Sequence, residues 1–443
     1  MKDITEIQGF WSPTMDMEKS YSGILKMDGG EIDLELLGCE DFPPGKFIIH
    51  GLTSKGKKIT LYNCYPFSRS RSTPGFPTAT VSATHYFEGD HLFKTDFNFS
   101  LVEFKVTFLD IWLDVGGFKS FDKIENPYSV SLTYELPETI QLFKNDLIEI
   151  SIIFNYYAPS FKPTHECNIR QECLIQIKHK QTFNLEELWT YINVIKSFFT
   201  LAYFSEVNIE NVMLVKDEIS LNLKYLNRNP SELDTKRHRR HFLFEYNEIK
   251  TSLATVFEKW FNICDQLEPV ISLLLEVFKE GSKMNENYFL NIMYGIESFH
   301  RRLRSNAKRP QVEFDQIIKD ILESSPTGHQ EWLKEKLAFA NEPSLKERLE
   351  ILFSEVSPSI LSHLFPQHEK LIIQAKNTRN YFTHYSSSLK KKALDGKELY
   401  HLSERLKLLL LVLLLKETGF DDIQTSKIVI NSSHFLFNHI IVE

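Results

Sequence analysis

From about residue 20 to 180, apolar and polar residues alternate in short segments: YSGILKM, EIDLELLG, GKFIIHGLT, KKITLYNCY, NFSLVEFKVTF, YSVSLTYEL, DLIEISIIFNYY and CLIQIKH, punctuated by Gly, Pro, Asp and Asn. Alternation at period two puts successive side chains on opposite faces, as in half-buried antiparallel strands. This half reads as a β-sandwich or an open barrel. At about 184 the period changes. NLEELWTYINVIKSFFTLA offers Asn184 as N-cap and Glu187 three residues on, the capping-box arrangement, and places Leu188, Tyr191, Ile192, Ile195 and Phe199 on one helical face. NVMLVKDEISLNLKYL then reads as a strand pair turning near Lys216 and Asp217, either returning to the sheet or forming a connector.

Beyond about 245 the apolar spacing is three and four, in IKTSLATVFEKWFNICDQLEPVISLLLEVFK, ENYFLNIMYGIESFHRRLR, EFDQIIKDILES, HQEWLKEKLAFA and SLKERLEILFSEV. Pro269 should kink or end the first of these. The last helix, from about 397 to 418, should stop at a C-terminal cap on Gly419. The fold class is therefore α+β with two domains, an antiparallel β-rich half followed by an all-α bundle. The spans are 1–180, a helix-plus-strand connector packed on it at 181–245, and 246–443. A chain of 443 residues exceeds what one core usually supports, and 35 phenylalanines with 42% apolar content give ample material for two. The run KLLLLVLLLK at 407–416 has eight uninterrupted apolar residues, too short for a bilayer and suited to a helix buried on all sides.

Lysine and arginine total 51 against 59 acidic residues, so any nucleic-acid contact must be a local basic patch. MKDITEIQGFWSP lacks a basic start followed by an apolar run, and five scattered cysteines suit reduced thiols. A cytoplasmic protein without a membrane partner is the expectation. His165, Cys167, Cys173 and His179 fall within fifteen residues and can in principle offer zinc two sulfurs and two nitrogens, but their spacing matches no metal knuckle. No metal or cofactor is expected. FSRSRSTPGFPT at 67–78 reads as a surface loop whose Arg69 and Arg71 can meet an anion. TKRHRRH at 235–241 contributes Arg237, Arg239 and Arg240 as candidate RNA contacts. Arg301 joins them; it is four residues from Glu297, and the two either form an exposed pair on the helix surface or point inward beside the stretch KNTRNYFTHYSSS at 376–388.

The phosphate-loop, dinucleotide, zinc-protease and serine-hydrolase motifs are missing. One constellation stands out in KNTRNYFTHYSSS: Arg379, followed at once by Asn380, and His384 with four residues between the arginine and the histidine. Chance supplies such spacings freely, so context has to carry the reading. The pair lies near the end of a helix of the bundle, followed by SSSLKKK and then by the long apolar helix.

With this bundle, RNYFTH in its penultimate position and LSERLKLLLLVLLLKETGF closing it, the second half resembles the HEPN domain, in the branch found in ApeA-like bacterial antiphage proteins. The first half is similar to that family's N-terminal domain through GFWSP, YSGILKM, EIDLELLG, GKFIIHGLTSKGKKITL and FLDIW. The resemblance implies metal-independent endoribonuclease activity in abortive antiphage defence, with Arg379 and His384 catalytic across a dimer interface and Asn380 as the polar second residue. It implies an RNA substrate, tRNA among the candidates, and a homodimer or higher homo-oligomer. A toxic RNase has to be restrained until needed, so the two-domain architecture makes the N-terminal domain the candidate to sense a phage-derived trigger.

The residue chemistry fits. A histidine, titrating near about 6.5, can take the proton of a ribose 2′-hydroxyl, and an arginine can hold the nonbridging oxygens as charge develops. At about 100° per residue, Arg379 and His384 project roughly 140° apart on a straight helix, whereas Asn380 and His384 share a face. Either the helix breaks inside the motif, or two copies meet about a two-fold axis. Two other readings stay open: a HEPN protein that binds nucleotides or RNA without cutting, and a ligand-binding β-sandwich, with Trp11 or Trp112 in its groove, oligomerised by the bundle.

Overall fold

A computed structural model describes residues 5–28, 30–71, 73–125, 128–159, 165, 167–225, 242–279 and 286–431. They fall into two compact units, within the spans Met1–Lys196, Val207–Arg239 and Glu245–Ala254 for the first, and Ser197–Glu206, Arg240–Phe244 and Thr255–Glu443 for the second.

The first unit is built on antiparallel strands. β1 (Thr5–Ser12), β2 (Tyr21–Asp28), β3 (Glu31–Leu37), β4 (Phe47–Thr53), β5 (Lys58–Ser70) and β6 (Thr78–Ser82) pair in the order β5-β4-β1-β2-β3-β6. β6 then pairs back onto β5, so these six strands close a barrel. Closure depends on the 13-residue length of β5. Its first part, Ile59–Tyr62, pairs with β7 (His85–Glu88), and its last part, Tyr65–Ser70, turns the same edge to β6. A sequence pattern that suits a sandwich or an open barrel thus closes, because one strand is long enough to serve two neighbours.

The barrel is filled as its alternation requires. Leu25, Leu34, Leu36, Ile49, Leu61 and Val81 are completely buried, and Trp11 of GFWSP lies among them. The Trp11 indole Nε1 donates to the Gly23 carbonyl at 3.2 Å. Gly51 lies against the ring face, where an added Cβ would come 2.3 Å from Trp11 Cζ3. Beyond β7 the sheet continues through β8 (Asn98–Val106), β11 (Ile140–Lys144), β12 (Ile148–Tyr157), β13 (Arg170–Asn184), β14 (Ile209–Lys216) and β15 (Ile219–Tyr225), in the order β7-β15-β14-β8-β13-β12-β11. β9 (Phe118–Glu125) and β10 (Tyr128–Tyr134) form a separate ribbon, and α1 (Leu109–Leu113) follows β8. The strand pair expected after residue 210 is β14 and β15, turning at Asp217 and Glu218 and joined to the sheet through β8 and β7.

α2 (Leu185–Tyr203) carries the expected capping box: Asn184 Oδ1 accepts from Glu186 N at 2.9 Å and Glu187 N at 3.0 Å, while Glu187 Oε2 accepts from Asn184 N. Helices follow as α3 (Tyr246–Ile249), α4 (Leu253–Lys279), α5 (Glu286–Leu303), α6 (Gln311–Glu323), α7 (Thr327–Leu337), α8 (Leu345–Ser354), α9 (Pro358–Leu364), α10 (His368–His384), α11 (Ser387–Lys390), α12 (Gly396–Glu417) and α13 (Asp422–Asn431). α4 continues through Pro269 instead of ending there. A proline removes one backbone donor, and burial of Leu267 and Val270 on either side holds the helix together across the gap. In α12 every residue from Leu408 to Leu415 is at most 2% exposed, so the apolar run is enclosed on all sides.

Gly419 ends α12 as its position predicts. At φ +95 it forms a paired cap, with Phe420 N donating to Leu415 O at 3.1 Å and Gly419 N to Lys416 O at 3.0 Å. The chain does not stop at that cap but enters α13. Its start is marked by Asp421 and Gln424, which exchange side-chain-to-backbone bonds at 2.7 and 3.2 Å. Among the described residues, no helix is long and apolar enough to cross a membrane.

Candidate functional site

α10 and α5 form the seam on which the Arg379/His384 motif is mounted. The buried stripe of α10 is Leu371, Ile372, Ala375, Thr378 and Phe382, and that of α5 includes Phe289, Ile292, Met293, Ile296 and Phe299. The helices run antiparallel: Arg379 meets Glu297, Phe382 packs edge-on against Phe289 with centroids 6.0 Å apart, and the Tyr385 hydroxyl donates to Glu286 at 2.9 Å. Arg379 and Glu297 each sit one residue beyond a buried position, Thr378 and Ile296, which puts both at the rim of the seam.

Arg379 is held by a two-pronged ion pair. Its Nε donates to Glu297 Oε1 at 3.1 Å and its Nη2 to Glu297 Oε2 at 3.3 Å, while Nη1 lies 3.5 Å from Asn380 Oδ1. The arginine side chain is 23% exposed. A guanidinium has five N–H donors, so this arrangement fixes its plane and leaves donors on the Nη1 side for an anion.

His384 is the last residue of α10 and is exposed. Tyr385 ends the helix in a left-handed conformation (φ 47), its N–H donating to Tyr381 O at 2.6 Å. Among the described residues, His384 makes no hydrogen bond or ion pair, so Asn380 does not orient the imidazole within one chain. α10 is unbroken from His368 to His384, which removes the possibility of a helix break inside the motif. The two side chains leave one helix roughly 140° apart and ~7.5 Å apart along its axis.

The remaining sequence candidates fall elsewhere. Arg301 pairs with Glu342 at 2.8 Å rather than with Glu297, because Glu297 turns toward Arg379. Glu342 also accepts from Arg348 at 3.0 Å, a buried guanidinium that meets Asn306 and His300 as well. Arg237, Arg239 and Arg240 lie outside the described residues. Arg71 has a loose 3.7 Å contact with Glu40, and Arg69 covers the Phe42 ring at 5.1 Å. Trp11 and Trp112 are completely buried, so neither lines an open groove.

Zinc at His165, Cys167, Cys173 and His179 is not supported. Cys173 and His179 lie on the same strand, β13, six residues and therefore ~20 Å apart, too far to share an ion. Burial pushes the Cys173 thiol up to about 11, as for a small apolar core residue. Among the described residues, no three His, Cys, Asp or Glu side chains gather as a metal site.

The sequence pattern left Glu297 two placements, one of them beside the motif, and gave no sign of the Tyr385–Glu286 bond. Glu297 as the partner of Arg379 lies 82 positions away, and the Tyr385–Glu286 bond that fixes the end of α10 spans 99. Neither leaves a local signal, although the place of Glu297 at the edge of an apolar stripe was visible.

Residues 6–260 match the family model described as ApeA N-terminal domain 1, and residues 290–424 match the one described as Apea-like HEPN. No curated protein and no solved structure matches the chain. With the first match spanning more than half of the sequence and the second enclosing the whole Arg379/His384 helix, the chain belongs to the ApeA family of HEPN-type antiphage defence proteins.

Proposed function

We propose that this protein is a metal-independent endoribonuclease of abortive antiphage defence, with Arg379 and His384 as its catalytic residues, each copy of a homodimer supplying part of a shared site. The observation that carries this reading is the unbroken α10, which points the guanidinium, held by Glu297 of α5, and the open imidazole in different directions. Two such helices meeting about a two-fold axis bring the arginine of one copy to the histidine of the other.

In the proposed reaction His384 accepts the proton of a ribose 2′-hydroxyl as its oxygen attacks the adjacent phosphorus. The P–O5′ bond breaks, a proton returns to the leaving oxygen, and the products are a 2′,3′-cyclic phosphate and a 5′-hydroxyl. The donors of Arg379 stabilise the charge that builds on the nonbridging oxygens. The β-rich unit is assigned the sensing role, with a phage-derived product as trigger and cellular or phage RNA, tRNA among the candidates, as substrate.

The test is phage challenge of cells expressing wild type, Arg379→Ala or His384→Ala, with RNA ends sequenced. Cyclic-phosphate ends that fall by 10²–10⁴-fold in both variants are expected, the usual worth of a general acid–base group. Cleavage that survives both substitutions would overturn the assignment. A strictly monomeric preparation with full activity would remove the shared site.

A further inference from the structure

We infer that Lys390, Lys391 and Lys392, on the turn after the motif helix, bind the phosphodiester backbone of single-stranded RNA beside the scissile bond. The inference rests on the nuclease reading and extends it to substrate binding.

All three lysines are exposed. Among the described residues none forms an ion pair, although Lys308, Lys319, Lys346 and Lys416 of the same unit each meet a carboxylate within 4 Å. Asp395 and Glu398 follow closely in sequence and pair with none of the three. Some other described lysines of the unit are unpaired singly, but here three stand side by side, a local positive patch in a chain of net charge −8.

The turn is also fastened to the motif. The Leu394 N–H donates to the Thr378 hydroxyl at 3.1 Å, and Thr378 is fully buried one residue before Arg379. Lys392 N and Ala393 N both donate to Leu389 O, at 2.9 and 3.0 Å, which closes the turn on α11. Lys392 is two residues from Leu394, so its backbone lies within ~7 Å of that clasp. Lys390 is six residues beyond His384 through a four-residue helix. The segment that carries the cluster is therefore tied to the motif helix at both ends, by chain continuity from His384 and by the clasp at Thr378. Neighbouring phosphates of a bound strand are the ligand that three closely spaced ammonium groups fit.

The experiment uses the full-length His384→Ala protein, expected to bind RNA without cutting it, and a fluorescein-labelled mixed-sequence 20-mer RNA, with its fully 2′-deoxy-substituted counterpart as a control that cannot be cut by 2′-hydroxyl attack. Anisotropy titrations between 50 and 200 mM KCl compare it with the same protein carrying Lys390→Gln, Lys391→Gln and Lys392→Gln. Each lost phosphate contact should lower the slope of log affinity against log salt by about 0.7, so three lower it by about 2. A fourfold rise in salt then weakens the parent about 20-fold more than the triple variant. Arginine at the three positions should restore the slope, and with His384 intact the glutamine variant's loss should appear in KM rather than kcat. An unchanged slope, or no RNA binding by the parent, overturns the inference. If the slope falls as expected while Arg379→Ala and His384→Ala still cleave, the lysine site stands and the catalytic assignment fails.

Discussion

Two ion pairs of the helical unit differ chiefly in their access to water. Lys407 and Glu404 lie three residues apart on α12, with side chains 11% and 2% exposed. Tyr288 of α5 completes the set, its hydroxyl donating to Glu404 and accepting from Lys407 at 2.9 Å. Arg379 and Glu297 bridge α10 and α5 with side chains 23% and 17% exposed. The enclosed group spends its donors on its own members and fixes how α12 lies on α5. The rim pair fixes one edge of a guanidinium and leaves the other edge available. Among paired charges, access to solvent separates those that serve the fold from those that can also meet a substrate.

The largest expected effect is on the enclosed group. Glu404→Ala strands the Lys407 ammonium in the core and should cost ~3–5 kcal/mol in urea unfolding. A loss below about 1 kcal/mol would erase the distinction between the two pairs. Next comes a half-buried group without an ion-pair partner among the described residues, His85 of β7, whose Nε2 lies 3.3 Å from the donating Trp189 indole nitrogen and whose Nδ1 lies 2.7 Å from the Thr84 hydroxyl. Burial lowers its pKa to about 4, so the unfolded chain binds the proton more readily. The stability contributed by neutral His85 is complete above about pH 6.5 and is lost as pH falls toward 4, by ~3 kcal/mol for a shift of that size. Wild type should therefore lose more stability than His85→Gln across that window, and parallel pH curves for the two proteins would contradict it.

The rim pair should respond differently. Glu297→Gln removes the charge that holds Arg379 and should cost only about 1 kcal/mol of stability, while RNA cleavage falls roughly tenfold. A variant that cleaves faster than wild type would mean that Glu297 restrains the arginine instead of positioning it. The smallest effect belongs to Arg301, exposed and paired with a carboxylate that Arg348 also holds. Arg301→Ala should change stability by less than about 0.5 kcal/mol and leave cleavage within about twofold. A larger loss of RNA binding would restore Arg301 as a contact.

Much of the fold was legible because its determinants are local. Period-two alternation named most of the strands but not β1, β6, β7, β9 or β11, while Asn184 and Glu187 marked the start of α2, Gly419 marked the end of α12, and eight consecutive apolar residues pointed to an enclosed helix. At Pro269 the sequence allowed a kink or an end, and burial of Leu267 and Val270 decides for a helix that continues despite the missing donor. α13 did carry a signal, the Asp421–Gln424 capping pair, but it lay behind a strong stop at Gly419. His165, Cys167, Cys173 and His179 looked like a ligand set only while their extended backbone was ignored.

The sequence by itself determined most of the elements, the two textures and the motif helix, since periodicity and caps act within a few residues. Only the tertiary structure decided that β5 closes a barrel, that Glu297 rather than Arg301 faces Arg379, and that Tyr288 completes the Glu404–Lys407 group. Each of these joins residues far apart in the chain, and which faces meet is set by packing whole helices and strands against one another.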